Sequence, residues 1–93
     1  TDTGPMDILA ISKDKRTLLV VELKKGRASD VVVGQLLRYM GYVQEELVEK
    51  GQTVKGIIIA LTDDQRLSRA LSLLEGTVDS YRYEANFNLV KIY

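Results

Sequence analysis

Two carboxylates and an amine near the start of the chain, Asp7, Glu22 and Lys24, are the side-chain types that metal-assisted chemistry on phosphate esters requires. Carboxylate oxygens are preferred ligands of Mg²⁺ and Mn²⁺. Such an ion lowers the pKa of a bound water and stabilises charge developing on a phosphoryl oxygen. A lysine beside it orients the attacking water or helps deprotonate it, and neutralises the phosphate. Gln35 adds an amide able to hydrogen-bond the water or the phosphate. These groups act together only if the elements that carry them meet in space.

Glu22 and Lys24 lie at the end of the apolar, β-branched run Leu18-Leu19-Val20-Val21-Glu22-Leu23-Lys24-Lys25, which reads as a buried strand. Side chains alternate along a strand, so both project from the face that carries Leu18 and Val20. Met6 to Ser12 reads as a second strand and Lys13-Asp14-Lys15-Arg16 as the turn of a β-hairpin. With the turn centred between Asp14 and Lys15, Leu18 opposes Ile11, Val20 opposes Leu9 and Glu22 opposes Asp7. Opposed Cβ atoms stand about 5 Å apart. Two carboxylates at that separation repel, and a hard divalent ion resolves the conflict. A shift of the turn by one residue breaks the pairing.

After the basic connector Lys25-Gly26-Arg27-Ala28, Ser29 or Asp30 caps a helix that runs to about Lys50 and stops at Gly51. Its core stripe is Val32, Leu36, Tyr39 or Met40, Val43 and Leu47, and Gln35 shares a face with Tyr39. Ile57 to Leu61 is apolar throughout, as suits a central strand, and the strand–helix–strand unit predicts a parallel pair. Thr62 or Asp63 caps a second helix from about Asp64 to Glu75, closed by Gly76. Val78 to Glu84 and Phe87 to Ile92 read as two last strands. The expectation is an α/β domain with a mixed β-sheet flanked by helices, in the order ββαβαββ.

With 93 residues, 45% of them hydrophobic, the chain forms a single domain over 1–93. It begins at Thr1 rather than Met, which reads as a fragment of a longer protein. Thirteen basic and thirteen acidic residues cancel, so any nucleic-acid footprint is local. The absence of Cys and His excludes disulfides, thiolate zinc sites, Cys nucleophiles, Ser-His-Asp triads and histidine-based nucleases. No membrane-spanning run or signal peptide is evident, and a cytoplasmic location is expected.

Gly4-Pro5-Met6-Asp7, then Glu22-Leu23-Lys24, then Gln35-Leu36-Leu37-Arg38-Tyr39 resemble the PD-(D/E)xK nuclease superfamily, and within it the catalytic domains of NucS-type endonucleases. The resemblance covers roughly residues 4–43, the rest following by element order. It implies a three-layer restriction endonuclease-like core that cleaves phosphodiester bonds of DNA with Mg²⁺ or Mn²⁺. Carried over by position, Asp7 and Glu22 hold the metal, Lys24 is the catalytic amine and Gln35 supports the site. Tyr39 orients or packs nearby, while Lys25, Arg27 and Arg38 are placed to contact phosphates. Such domains usually begin with a helix not found ahead of Asp7 here, which leaves three alternatives: an additional domain supplies it, a second copy of the chain supplies it, or the domain is inactive as it stands.

Each residue also has a plainer use. Glu22 and Lys24 can form an ordinary ion pair, Asp7 a turn, Gln35 a polar helix surface and Tyr39 core packing. Lys25, Arg27 and Arg38 can be solvated charges, Tyr81 and Tyr83 packing rather than base stacking, and Asp63-Asp64 a helix cap. The competing readings of the whole are a nuclease-fold module that binds nucleic acid without turnover, and a domain that assembles through exposed sheet edges.

Overall fold

The structure is a computed structural model that describes residues 7–62, 65–84 and 88–93. Gly4-Pro5-Met6, Asp63-Asp64 and Ala85-Asn86-Phe87 lie outside the described residues, and so do the turn, cap and connection expected of them.

The chain opens as a β-hairpin of β1 (Ile8–Ile11) and β2 (Thr17–Leu23). Ile8 pairs with Val21, Leu9 with Val20, Ala10 with Leu19 and Ile11 with Leu18, the register expected from the sequence. The turn that sets it is held by side chains. Ser12 Oγ donates to Asp14 Oδ1 at 2.6 Å, and the Arg16 N–H donates to the same oxygen at 3.0 Å. The Thr17 N–H donates to Ser12 Oγ at 3.1 Å, and the Ser12 N–H donates to the Thr17 carbonyl at 2.9 Å. Lys15 takes the left-handed conformation, φ 61°, that lets so short a turn close.

A seventeen-residue helix, α1 (Asp30–Glu46), starts from Ser29 in extended conformation. Val32, Val33, Leu36, Tyr39, Met40 and Val43 are buried. The helix ends before Lys50, and Leu47 is 43% exposed rather than part of the stripe. Glu45 and Glu46 explain the early stop: acids at a helix C-terminus oppose the macrodipole, and no base occupies the last turn. The N–H groups of Leu47 and Val48 both converge on the Val43 carbonyl at 3.0 Å, which closes the helix. Gly51, at φ 86°, then turns the chain back.

The next strand, β3 (Thr53–Ala60), begins earlier than its apolar run suggests, because Thr53 pairs with Thr17 at the start of β2. It runs parallel to β2. At Gly56 the strand passes directly beneath α1, where an added Cβ would lie 2.6 Å from Met40 Sδ and 2.8 Å from Leu36 Cδ2. The absent side chain is what allows this approach.

An eight-residue helix, α2 (Gln65–Ser72), and β4 (Val78–Arg82) complete a four-stranded sheet in the order β1-β2-β3-β4. The first pair is antiparallel and the other two are parallel. Leu67 of α2 joins the same core cluster as Leu18, Val20, Leu36, Ile58 and Val78. Both helices therefore cover one face of the sheet, and the described residues form two layers where the resemblance implied three. On the other face Leu19, Ile57 and Ile59 are half-covered.

The described part of the expected last strand, 88–92, forms no strand. Residues 88–93 have no regular structure, and Leu89, Val90 and Ile92 are exposed, so the observed order is ββαβαβ. Only Val78 of β4 is buried, and Asp79, Ser80 and Arg82 give a further strand little apolar surface to cover.

Two stability measurements check this account. Gly56→Val should destabilise the fold by about 1–3 kcal/mol through overpacking against Leu36 and Met40; an unchanged chemical-denaturation midpoint would show that the approach is not tight. The Ser12 hydroxyl, and then the Arg16 N–H, hold the Asp14 carboxyl below its ordinary pKa. A carboxyl with a depressed folded pKa contributes stability above its unfolded pKa and loses it as pH falls through the folded value. The melting-temperature gap between the native protein and Asp14→Ala should therefore be full at neutral pH and close as the pH falls through the depressed folded value. A gap independent of pH rules this role out.

Candidate active site

Glu22 occupies the position on β2 that follows Leu18 and Val20 on the helix-covered face, and it pairs with Ile58 of β3. It is 4% exposed, the one charged residue among the buried described positions. Its Oε1 lies 3.4 Å from Lys24 Nζ. Its Oε2 is buried and has no hydrogen-bond partner. An ionised oxygen stripped of water and left without a donor is costly, and a structure keeps one only where something else offsets it.

Lys24 lies just past the end of β2, where its N–H donates to the Ile59 carbonyl at 2.8 Å and fixes the backbone beneath the side chain. The side chain is 35% exposed, so the ammonium stands between the buried carboxylate and solvent. Asp7 immediately precedes β1, and the register carries it to the position opposite Glu22. It is exposed, and its Oδ2 accepts the Leu23 N–H at 2.8 Å. The carboxylate thus extends the hairpin by one bond while its second oxygen is not needed for that contact.

The other expected residues divide. Gln35 is half-buried and its Nε2 donates to Tyr39 Oη at 3.2 Å, a bond along α1. Tyr39 itself is 3% exposed and belongs to the core cluster, so its ring packs inside rather than facing a ligand. Arg38 is exposed on α1. Lys25 is exposed, and its carbonyl accepts a 2.6 Å hydrogen bond from Tyr83 Oη. This contact ties the connector after Lys24 to the end of β4. Nothing in the spacing of Tyr83 signals it, because the partner is a main-chain atom fifty-eight positions away. Arg27 bridges to Thr62 beyond the ends of β2 and β3.

Among the described residues no group of three or more His, Cys, Asp and Glu side chains is gathered to hold a metal. Two carboxylates are nevertheless enough for Mg²⁺, which keeps several waters and is often bound by one or two carboxylates together with substrate phosphates. The unpartnered Glu22 Oε2, opposite an acid at Asp7, is the kind of oxygen that such an ion needs. The residues present fit the group. Among the described residues no helix is long and apolar enough to cross a membrane.

A mixed sheet with an acid at the start of the hairpin and Glu-x-Lys at the end of its second strand defines a restriction endonuclease-like domain of the PD-(D/E)xK kind. Residues 1–81 match the family described as the endonuclease NucS C-terminal domain, and the chain belongs to that family. It is similar to the crystal structure of a repair endonuclease from Pyrococcus abyssi, with 29% identity, a TM-score of 0.69, and coverage of 85% of this chain and 32% of that one. It is similar to EndoMS in apo form, at 28% identity and a TM-score of 0.68 over 85% of this chain and 32% of that one. The structure of an EndoMS complex with double-stranded DNA matches at 29% identity and a TM-score of 0.70, covering 92% of this chain and 34% of that one. The chain therefore spans about a third of the length of these solved relatives. No curated protein matches it significantly.

The orphaned oxygen makes a direct prediction. Glu22→Gln removes a buried charge while Lys24, a third exposed, keeps its hydration. Without metal it should raise stability by roughly 1–3 kcal/mol. The melting-temperature rise that Mn²⁺ produces in the native protein should vanish. A variant less stable than the native protein, with the Mn²⁺ response intact, rejects Glu22 as a metal ligand.

Proposed function

We propose that this domain is the catalytic part of a metal-dependent endonuclease that hydrolyses phosphodiester bonds of double-stranded DNA. The observation that carries the reading is Glu22, buried in a strand with one oxygen unpartnered and the other held by Lys24. Family membership and the likeness to a DNA-bound relative support it.

Asp7 and Glu22 would hold the ion, Mg²⁺ or Mn²⁺. When bound, it supplies a water of lowered pKa and a positive charge for the phosphoryl oxygens. Glu22 arrives preorganised, since the strand on either side of it is paired and its side chain is dry. Lys24 serves as the cation of an ion pair at the solvent boundary. Its ammonium can swing from Glu22 to a non-bridging phosphate oxygen, or donate to the attacking water and fix its direction. In the net reaction a water oxygen bonds to phosphorus, one ester P–O bond breaks, and the leaving oxygen takes up a proton. Gln35 would act at a remove: its bond to Tyr39 within α1 fixes the orientation of its amide, which supports the site. Lys25, Arg27 and Arg38 are exposed and can meet the DNA backbone.

Removal of the amine tests the proposal. Lys24→Ala should lower Mg²⁺-dependent cleavage of a labelled duplex by about a hundredfold or more. The melting temperature should also fall, because the buried Glu22 carboxylate loses the partner of its Oε1, so cleavage is compared well below the variant's own melting temperature. Undiminished cleavage sinks the role of Lys24. A native chain that binds the duplex but never cleaves it, with either Mg²⁺ or Mn²⁺, supports a binding module instead.

A further inference from the structure

Beyond Lys24 the chain builds a second concave surface, lined by Arg27, Ser29, Gln65, Arg66 and Arg69, with a volume of about 500 Å³. Every one of these side chains can donate hydrogen bonds, three are guanidinium cations, and none of the described lining residues is acidic. In a chain of zero net charge this gathers three of the thirteen basic side chains in one hollow. Asp30, in the first turn of α1, is not among the lining residues.

Its place in the fold relates it to the catalytic end of the sheet. Arg27 follows Lys24 by three positions and bridges to Thr62, which continues past the end of β3. The Ala28 N–H donates to the Thr62 carbonyl at 2.8 Å, so the segment is fixed. The basin therefore opens where β2 and β3 end, as the Glu22–Lys24 pair does, the side of a parallel sheet where ligands bind. Its far wall is α2. Leu67 is fully buried there, while Arg66 and Arg69, three positions apart, are exposed and line the same hollow. Among the described residues neither Arg66 nor Arg69 is held in an ion pair.

We infer that this basin binds a backbone phosphate of the DNA flanking the scissile one, with Arg66 and Arg69 as its principal contacts. The inference rests on the endonuclease reading for the identity of its ligand. Guanidinium groups grip phosphate oxygens bidentately and do not require a particular base. The site would thus fix the direction of the duplex across the sheet without reading its sequence.

The test is binding, measured apart from cleavage. Anisotropy of a fluorescein-labelled DNA duplex is followed in EDTA across a salt series for the native chain, Arg66→Ala/Arg69→Ala and Arg66→Lys/Arg69→Lys. The alanine pair should bind about tenfold more weakly near 0.1 M salt. Its plot of log affinity against log salt should flatten by about one unit for each phosphate that is no longer neutralised. The lysine pair, which keeps the charges but not the forks, should retain the native slope at reduced affinity. An alanine pair with native slope and affinity overturns the basin even if the native chain cleaves DNA. A native chain that binds through these arginines yet cannot cleave with Mg²⁺ overturns the endonuclease reading and leaves the basin standing. Thermal melts of all three proteins distinguish weakened binding from unfolding.

Discussion

The register of the first hairpin is the constraint on which the site depends. Side chains on a strand alternate between faces, so a slip of one residue between β1 and β2 would move Asp7 out of line with Glu22. A set of short polar bonds around Ser12 and Asp14 prevents that slip, although every residue in it is far from the chemistry. The same register lets Asp7 accept the Leu23 N–H, so one carboxylate serves both the end of the ladder and the site. On its other side β2 is pinned by β3, from Thr17 with Thr53 to Leu23 with Ile59. Glu22 has no freedom to swing its backbone away from the core.

That rigidity has an energetic consequence. A carboxylate held between Val20 and the covering helix loses most of its hydration, and one ion-pair contact at 3.4 Å satisfies only half of it. Natural folds tolerate such a defect where function needs it and are more stable without it. Here the surrounding core absorbs the cost: Val20, Leu36, Val43 and Ile58 are fully buried within the same cluster. Lys24 completes the arrangement by remaining partly in water. It lowers the penalty of the buried acid while keeping its ammonium at the solvent boundary.

Much of this is legible in the chain because it rests on local rules. The hairpin register follows from turn length and alternation, and α1 from a stripe at helical spacing, while Ser29 takes the N-cap position without a capping bond from its hydroxyl. What escapes depends on contacts between distant segments. Phe87 to Ile92 has strand composition, yet a strand needs an edge with apolar surface beside it, and β4 offers little. Leu47 has helical spacing, but two glutamates before it end the helix one turn early. Arg66 and Arg69 carry no signal in the sequence, because an arginine pair on a short helix is ordinarily solvent-facing. Only the parallel crossover sets them beside Arg27 and gives their spacing a ligand-binding sense.

Zero net charge and the proposed nucleic-acid role are reconciled by a division of labour. A uniformly basic domain would hold DNA anywhere on its surface and gain affinity without geometry. Here Glu22 and Asp7 make one end of β2 acidic, while the arginines beyond the ends of the strands make the neighbouring hollow basic. On the proposed reading, the acids would repel a phosphate in the absence of a divalent cation, whereas the basin would attract one. Backbone contact would then not require the metal. The acids and the arginines are separate groups at the same end of the sheet, so each can be changed without abolishing the other.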